Sequence, residues 1–220
     1  MSAENDRPFW ESRWSTGQIG FHRLEPNSLL RDHVSFFEGR RRVYVPLCGK
    51  SIDLVYLREQ GHEVVGSEFV PLAIEQFFDE LGEKPKVETR GKYRVHSVNK
   101  LSIVEGDAFA LQPEHLGGKV DAIFDRGSLV AIDPRSRNDF VDSFARLVVP
   151  QGRLGCVVFE YDQSKIDGPP WSVSHKDLDA LFGTRATVRL LGERPEGVST
   201  RLAEAGVRDV AERMYAVEFV

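Results

Sequence analysis

Cysteine and methionine are nearly absent from this 220-residue chain, two of each, and both thiols, Cys48 and Cys156, sit in or beside apolar runs. Two such residues make no disulfide framework of the kind that holds small secreted domains, and they suit reduced thiols in the cytoplasm. No apolar stretch approaches the ~20 residues a membrane span requires, and the opening MSAENDRPFWESRW has no apolar signal-peptide core. One-sided charge is missing too. With 29 basic and 34 acidic residues the formal net charge is -5, and the longest like-charged block is Arg40-Arg41-Arg42, so no basic footprint for nucleic acid is visible. Neither HExxH, CxxC nor a paired-histidine spacing occurs, and the six histidines are scattered, so no metal site is expected. A GxSxG nucleophile elbow is absent, as is the GxGxxG of dinucleotide-binding sheets.

What is present is an ordinary globular composition, 41% hydrophobic and 29% charged, enough to build a core without staples. No internal repeat or flexible linker divides it, so residues 1–220 read as one domain, with the segment before about residue 40 as an appendage. No unexplained apolar stripe calls for a second copy, so a monomer is the expectation. From residue 43 onward short β-rich runs alternate with amphipathic helical stretches, the pattern of βαβ units around a mostly parallel sheet.

Strands are expected at 43–47, 63–68, 101–104, 120–124 and 154–161, the last apolar on both faces. Residues 83–100 read as polar and irregular, with a short extra strand as an option at 93–98. Helices follow from Ile52, Val55, Tyr56 and Glu59 before Gly61, and from Ile74, Phe77, Phe78 and Leu81 behind Pro71. A third comes from Phe140, Phe144, Leu147 and Val148, closed by Pro150 and Gly152. Ser174 with Asp177 opens a helix ending at Phe182-Gly183, and runs at 187–191 and 213–220 read as an antiparallel pair at one sheet edge.

Ligands of open parallel sheets bind beyond the carboxyl ends of the strands, so the strand-to-helix turns are the places to search. Pro46-Leu47-Cys48-Gly49-Lys50 follows the first strand; its glycine lets backbone approach a ligand, although an ordinary turn has the same look. Glu68 ends the second strand nineteen residues after Gly49, the distance at which nucleotide-binding sheets place a carboxylate for ribose hydroxyls. Asp107 stands after the next strand, where it either approaches an adenine edge beside Ala108 and Phe109 or simply starts a turn. Asp125-Arg126 ends the fourth strand, as site residues or as a surface ion pair. The aromatic N-terminal segment puts Trp10 and Trp14 on one helical face; it either fills core or closes over a cleft.

Taken together these residues resemble the bacterial members of the thiopurine S-methyltransferase family. The resemblance rests on Phe9-Trp10, Arg13-Trp14 and Gln18-Ile19-Gly20-Phe21-His22, on Val45-Pro46-Leu47-Cys48-Gly49-Lys50-Ser51-Ile52-Asp53-Leu54, and on Val64-Val65-Gly66-Ser67-Glu68. It extends through Ile74-Glu75-Gln76-Phe77-Phe78, Phe124-Asp125-Arg126-Gly127-Ser128-Leu129-Val130-Ala131-Ile132 and Gly168-Pro169-Pro170. It implies an α/β fold: a Rossmann-like methyltransferase sheet of seven strands, mostly parallel, with an antiparallel C-terminal edge and an N-terminal lid over residues 1–25. It implies S-adenosyl-L-methionine as donor and a small aromatic or heterocyclic thiol as acceptor. Carried over by position, it assigns Trp14, Leu47, Glu68 and Arg126 to the cofactor, Asp107 and Ala108 to the adenine, and Phe21, Pro169 and Pro170 to the acceptor. Arg126 is also the expected catalytic residue, the best-placed cation to favour a bound thiolate. Trp171 and residues 193–206 depart from the family pattern, and Arg201 within them receives no role. Two other readings share the cofactor: methylation of halide, sulfide or selenium and tellurium species, and a non-catalytic sensor of S-adenosylmethionine.

Overall fold

The computed structural model describes residues 7–220. The first six residues of the expected lid lie outside the described residues. Strands β1 (Arg42–Val45), β2 (Glu63–Glu68), β3 (Lys86–Arg90), β4 (Tyr93–Val98), β5 (Leu101–Glu105), β6 (Val120–Arg126), β7 (Val148–Glu160), β8 (Ala186–Glu196) and β9 (Val210–Phe219) form one sheet. Its order is β3-β4-β5-β2-β1-β6-β7-β9-β8. β5, β2, β1, β6 and β7 are parallel neighbours, and β9 and β8 close one edge antiparallel, as the alternating C-terminal runs lead one to expect.

The strand count differs from expectation: among the described residues there are nine strands, not seven. The two additional strands are β4, which matches the optional strand at 93–98, and β3, which has no counterpart among the expected strands; they form a hairpin added antiparallel to β5. Residues 83–100 look irregular in sequence because β3 is an edge strand whose five residues, Lys-Val-Glu-Thr-Arg, bury none of their side chains. β7 also begins earlier than expected. Val148 belongs to the strand and not to the preceding helix, and Pro150 and Gly152 are accommodated near a register shift against β6.

Alternation sorts the sheet's side chains into two layers. Tyr44, Val65, Ile123 and Leu154 face one side, packed with Leu116 of α5 (Pro113–Leu116), Leu129 and Val130 of α6 (Ser128–Ala131), Phe140, Phe144 and Leu147 of α7 (Arg137–Leu147) and Leu178 and Phe182 of α8 (His175–Phe182). Val43, Val45, Val64 and Phe124 face the other, under Leu29 and Leu30 of α2 (Ser28–Asp32), Leu54 and Leu57 of α3 (Asp53–Glu59) and Ile74, Phe77 and Phe78 of α4 (Pro71–Leu81). At Gly155 in β7 an added Cβ would lie 2.6 Å from Phe37 Cζ, so glycine is what lets Phe37 close on the strand. The capping box at α8 forms as expected: Ser174 Oγ accepts the Asp177 N–H at 3.2 Å while Asp177 Oδ2 accepts the Ser174 N–H at 2.8 Å.

Strand order reverses at β1, with β2 on one side and β6 on the other. The carboxyl ends of β1 and β6 therefore flank a crevice. Helix α1 (Arg7–Ser15) and the loop after it lie over that crevice, with Trp14 buried among Phe69, Val70 and Ala73 at the start of α4.

Candidate active site

The crevice opens into a cavity of about 400 Å³ bounded by α1, the turns after β1, β2 and β6, and the C-terminal part of the chain. Of the residues expected to act, Trp14, Phe21, Leu47, Glu68, Arg126, Pro169 and Pro170 all line it. Asp107 and Ala108 are not among its lining residues. Asp107 caps the short turn at Ala108–Ala110, its Oδ1 accepting the Phe109 N–H at 2.9 Å, and Ala108 is buried in the core layer. Both follow β5, whose Glu105 pairs with Glu68, so they stand one strand away from the glutamate.

The turn after β1 is conformationally unusual. Leu47 has φ 42 and Gly49 φ 50, both left-handed. For leucine that conformation costs about 1–2 kcal/mol, the kind of local strain that collects at functional sites. Gly49 needs its missing side chain, because a Cβ there would lie 3.0 Å from Trp14 Cζ2. The turn is tied down by Cys48 N–H to Ser67 O at 2.8 Å and Ser128 Oγ to Pro46 O at 3.1 Å.

Glu68 locks onto this turn. Its Oε2 accepts the Gly49 N–H at 2.9 Å, and Oε1 accepts the N–H groups of Phe69 and Val70, each at 2.8 Å. A carboxylate offers about four acceptor sites, so three backbone donors leave one, on the oxygen that faces the turn. Burial pushes the Glu68 carboxyl up, with the three N–H bonds and Arg7 working against the rise. Cys48 also lines the cavity; burial and then the Glu68 charge raise its thiol well above the ordinary value, so it is an inert wall.

The other end of the cavity is cationic. Arg126 leaves β6 and points its Nη2 at the Phe21 carbonyl, 3.4 Å away. Arg201 of α9 (Thr200–Glu204) donates to the carbonyls of Pro169 at 2.5 Å and Asp167 at 2.7 Å, so it fixes the loop that carries the two prolines. Among the described residues neither guanidinium stands in an ion pair, although the Arg126 charge acts on Asp53, opposing the rise that burial imposes on its carboxyl. His22 lines the same space; burial, then Lys50, push its pKa down, Glu80 opposes, and Arg126 adds to the fall, leaving a neutral imidazole at neutral pH.

Trp10 and Phe21 meet edge to face at 5.8 Å and Trp14 and Phe21 at 5.9 Å, an aromatic roof. Both readings of the N-terminal segment thus apply at once: Trp14 is buried in a core cluster against which Trp10 packs, and both also line the cleft. Beneath the roof, Asp53 and Glu212 are held by Asn27, whose backbone N–H reaches Asp53 Oδ1 at 2.7 Å and whose amide reaches Glu212 Oε1 at 2.8 Å. Sequence reasoning passed over Arg201, Asp53, Tyr161 and Glu212. Only Asp53 carries a local signal, a charged residue between the apolar Ile52 and Leu54 at the start of α3; the others reach the cavity from elements whose placement depends on the whole sheet.

The family described as Thiopurine S-methyltransferase (TPMT) matches residues 5–219. A thiopurine S-methyltransferase of Nitrosospira multiformis is 38% identical over 189 residues, covering 85% of this chain and 86% of its own. One from Pseudomonas fluorescens is 35% identical over 215 residues, covering 96% of this chain and 98% of its own. Among solved structures, the Burkholderia thailandensis 1,6-didemethyltoxoflavin-N1-methyltransferase, with 1,6-didemethyltoxoflavin and S-adenosylhomocysteine bound, superposes at TM-score 0.62 with 17% identity, over 97% of this chain and 87% of that one. A SAM-dependent methyltransferase of Methanosarcina mazei gives TM-score 0.63 at 13% identity, over 90% and 99% of the two chains. At such identities these two show the fold alone. With a family match over nearly its whole length, and relatives above one-third identity, this chain belongs to the thiopurine S-methyltransferase family.

Proposed function

We propose that this S-adenosylmethionine-dependent methyltransferase methylates the sulfur of small aromatic or heterocyclic thiols. The observation that carries the reading is the meeting, in one cavity, of the Glu68–Gly49 turn with two guanidinium groups that have only carbonyl partners. The residues present fit the cofactor. Glu68 retains an acceptor site beside the turn for a ribose hydroxyl, the bare Gly49 leaves room for close approach, and Leu47 and Trp14 supply apolar wall. Asp107 and Ala108, one strand over, are assigned to the adenine by position. Bound S-adenosylmethionine supplies an electrophilic methyl on a cationic sulfur, open to in-line displacement by a thiolate.

The protein's own work is then positioning and charge. Arg126, and Arg201 behind the proline loop, favour the ionised over the protonated acceptor, so no dedicated base is needed for thiols of low pKa. Phe21, Pro169 and Pro170 bound a flat apolar ring. The aromatic roof excludes water, which strengthens the arginines' hold on an anion. The same cationic end suits soft anions such as iodide or selenite, the second reading of this site. A sensor has no use for an acceptor end of this kind. We read the chain as a cytoplasmic monomer whose partner is a small molecule, in keeping with two buried free thiols.

Methyl transfer from labelled S-adenosylmethionine to aromatic thiols, with a phenol, iodide and selenite alongside, tests this. Transfer to the thiol and not to the phenol is expected; a strong preference for iodide or selenite would sink the thiol assignment.

A further inference from the structure

Two charged side chains meet across the cavity near solvent. Arg23, which follows the aromatic roof, brings Nη2 to 2.7 Å from Oε1 of Glu196 at the end of β8, and both residues line the cavity. Their side chains are 51% and 22% exposed, so the pair stands at the entrance and not in the floor. The other carboxylates lining the cavity are engaged elsewhere. Glu68 holds three backbone N–H groups, Asp53 takes the Asn27 N–H and the Ser51 hydroxyl, and Glu212 takes the Asn27 amide and Arg194 at 2.8 Å. Among the described residues, Glu196 is the carboxylate whose ion-pair partner itself lines the cavity.

An acceptor entering the cavity therefore meets a neutralised cation at its exposed rim, in the same cavity as the two carbonyl-bound arginines. We propose that the Arg23–Glu196 pair is a charge filter that determines which thiols the enzyme accepts: those whose sulfur is their only anionic group, in preference to thiols bearing a further carboxylate. The proposal rests on the thiol reading above and names the residues that narrow it. Glu196 occupies the guanidinium that would otherwise receive a carboxylate on the acceptor. Removing the Glu196 charge frees one more cation beside those already lining the cavity; removing the Arg23 charge leaves an unpaired carboxylate that repels the same substituent. Loss of either partner breaks the contact between roof and β8 equally, so a purely mechanical latch would shift both variants the same way. A filter shifts them in opposite directions.

The test is the ratio of kcat/KM for 4-mercaptobenzoate to that for thiophenol, measured at low ionic strength in the unmodified enzyme, Glu196→Gln and Arg23→Gln. Partly exposed charges act weakly, so a rise of about two- to fivefold in the ratio is expected for Glu196→Gln and a comparable fall for Arg23→Gln, both shrinking as salt is added. A shift of both ratios in one direction, or no shift in either while both thiols are methylated, would overturn the filter and leave the thiol reading standing. Failure of the unmodified enzyme to methylate either thiol would overturn the thiol reading and the filter with it.

Discussion

Replacing Asp125 by asparagine should change how the stability of this fold depends on pH. Asp125 is fully buried at the end of β6; its Oδ1 accepts the Ser128 N–H at 3.0 Å, and its Oδ2 has no hydrogen-bond partner. Burial pushes the carboxyl from 3.8 up to about 6, with the bonds from Ser128 and the Leu129 amide opposing the rise. The folded protein thus holds this proton more tightly than the unfolded chain does. Stability from this group is complete below the unfolded value and declines as pH rises through the folded one, to a plateau above about pH 6. A shift of roughly two units at ~1.4 kcal/mol each makes the decline about 3 kcal/mol. Asparagine keeps the acceptor for Ser128 and cannot ionise. Its amide N–H₂ faces the unpartnered position at a constant cost of about 1–3 kcal/mol, which shifts the whole curve without tilting it. Urea unfolding of both proteins between about pH 4 and pH 8 therefore should show the stability of the variant, relative to the parent, rising by about 3 kcal/mol across that window. Parallel curves would refute the assignment of a proton to Asp125.

Three further outcomes follow from the same geometry. Glu68→Gln should weaken S-adenosylhomocysteine binding by about tenfold to a hundredfold, read by calorimetry, because the single amide oxygen cannot serve the Phe69 and Val70 N–H groups as well as the turn and a ribose; binding to the parent should weaken as pH falls through the raised carboxyl value. Gly49→Ala should cost about 1–2 kcal/mol and lower the melting temperature, since it combines φ 50 with a Cβ 3.0 Å from Trp14 Cζ2; unchanged melting would mean that Trp14 yields freely. Arg126→Ala should cut kcat/KM for an aromatic thiol about a hundredfold, with the acid limb of its pH profile moved upward as the thiol loses its cation. If cofactor affinity and turnover both survive, Arg126 has no role in the reaction.

Much of the candidate site was legible in the sequence. Glu68 and Gly49 are separated by one helix and one strand, and that spacing brings the carboxylate back to the turn, where the 2.9 Å bond forms. Trp10 and Trp14 share a helical face for the same local reason. The hairpin over 86–98 was hard to read because β3 is exposed and carries no alternating apolar signal. Arg201 and Glu196 had no signal, since nothing nearby in sequence says what they will face.

The order of residues by itself determined the α/β class, the parallel core of the sheet, the glycine turn and the carboxylate one unit later, because periodicity and turn chemistry act over a few residues. Only the tertiary structure decided that Arg201 would clasp the proline loop, that Asn27 would bridge Asp53 and Glu212, and that Arg23 would meet Glu196. Those contacts join segments 26 to 185 residues apart, and only the pairing of β7 with β9 and β9 with β8 brings the C-terminal partners to the mouth formed by β1 and β6. Local rules cannot set such distances; the register of the sheet does.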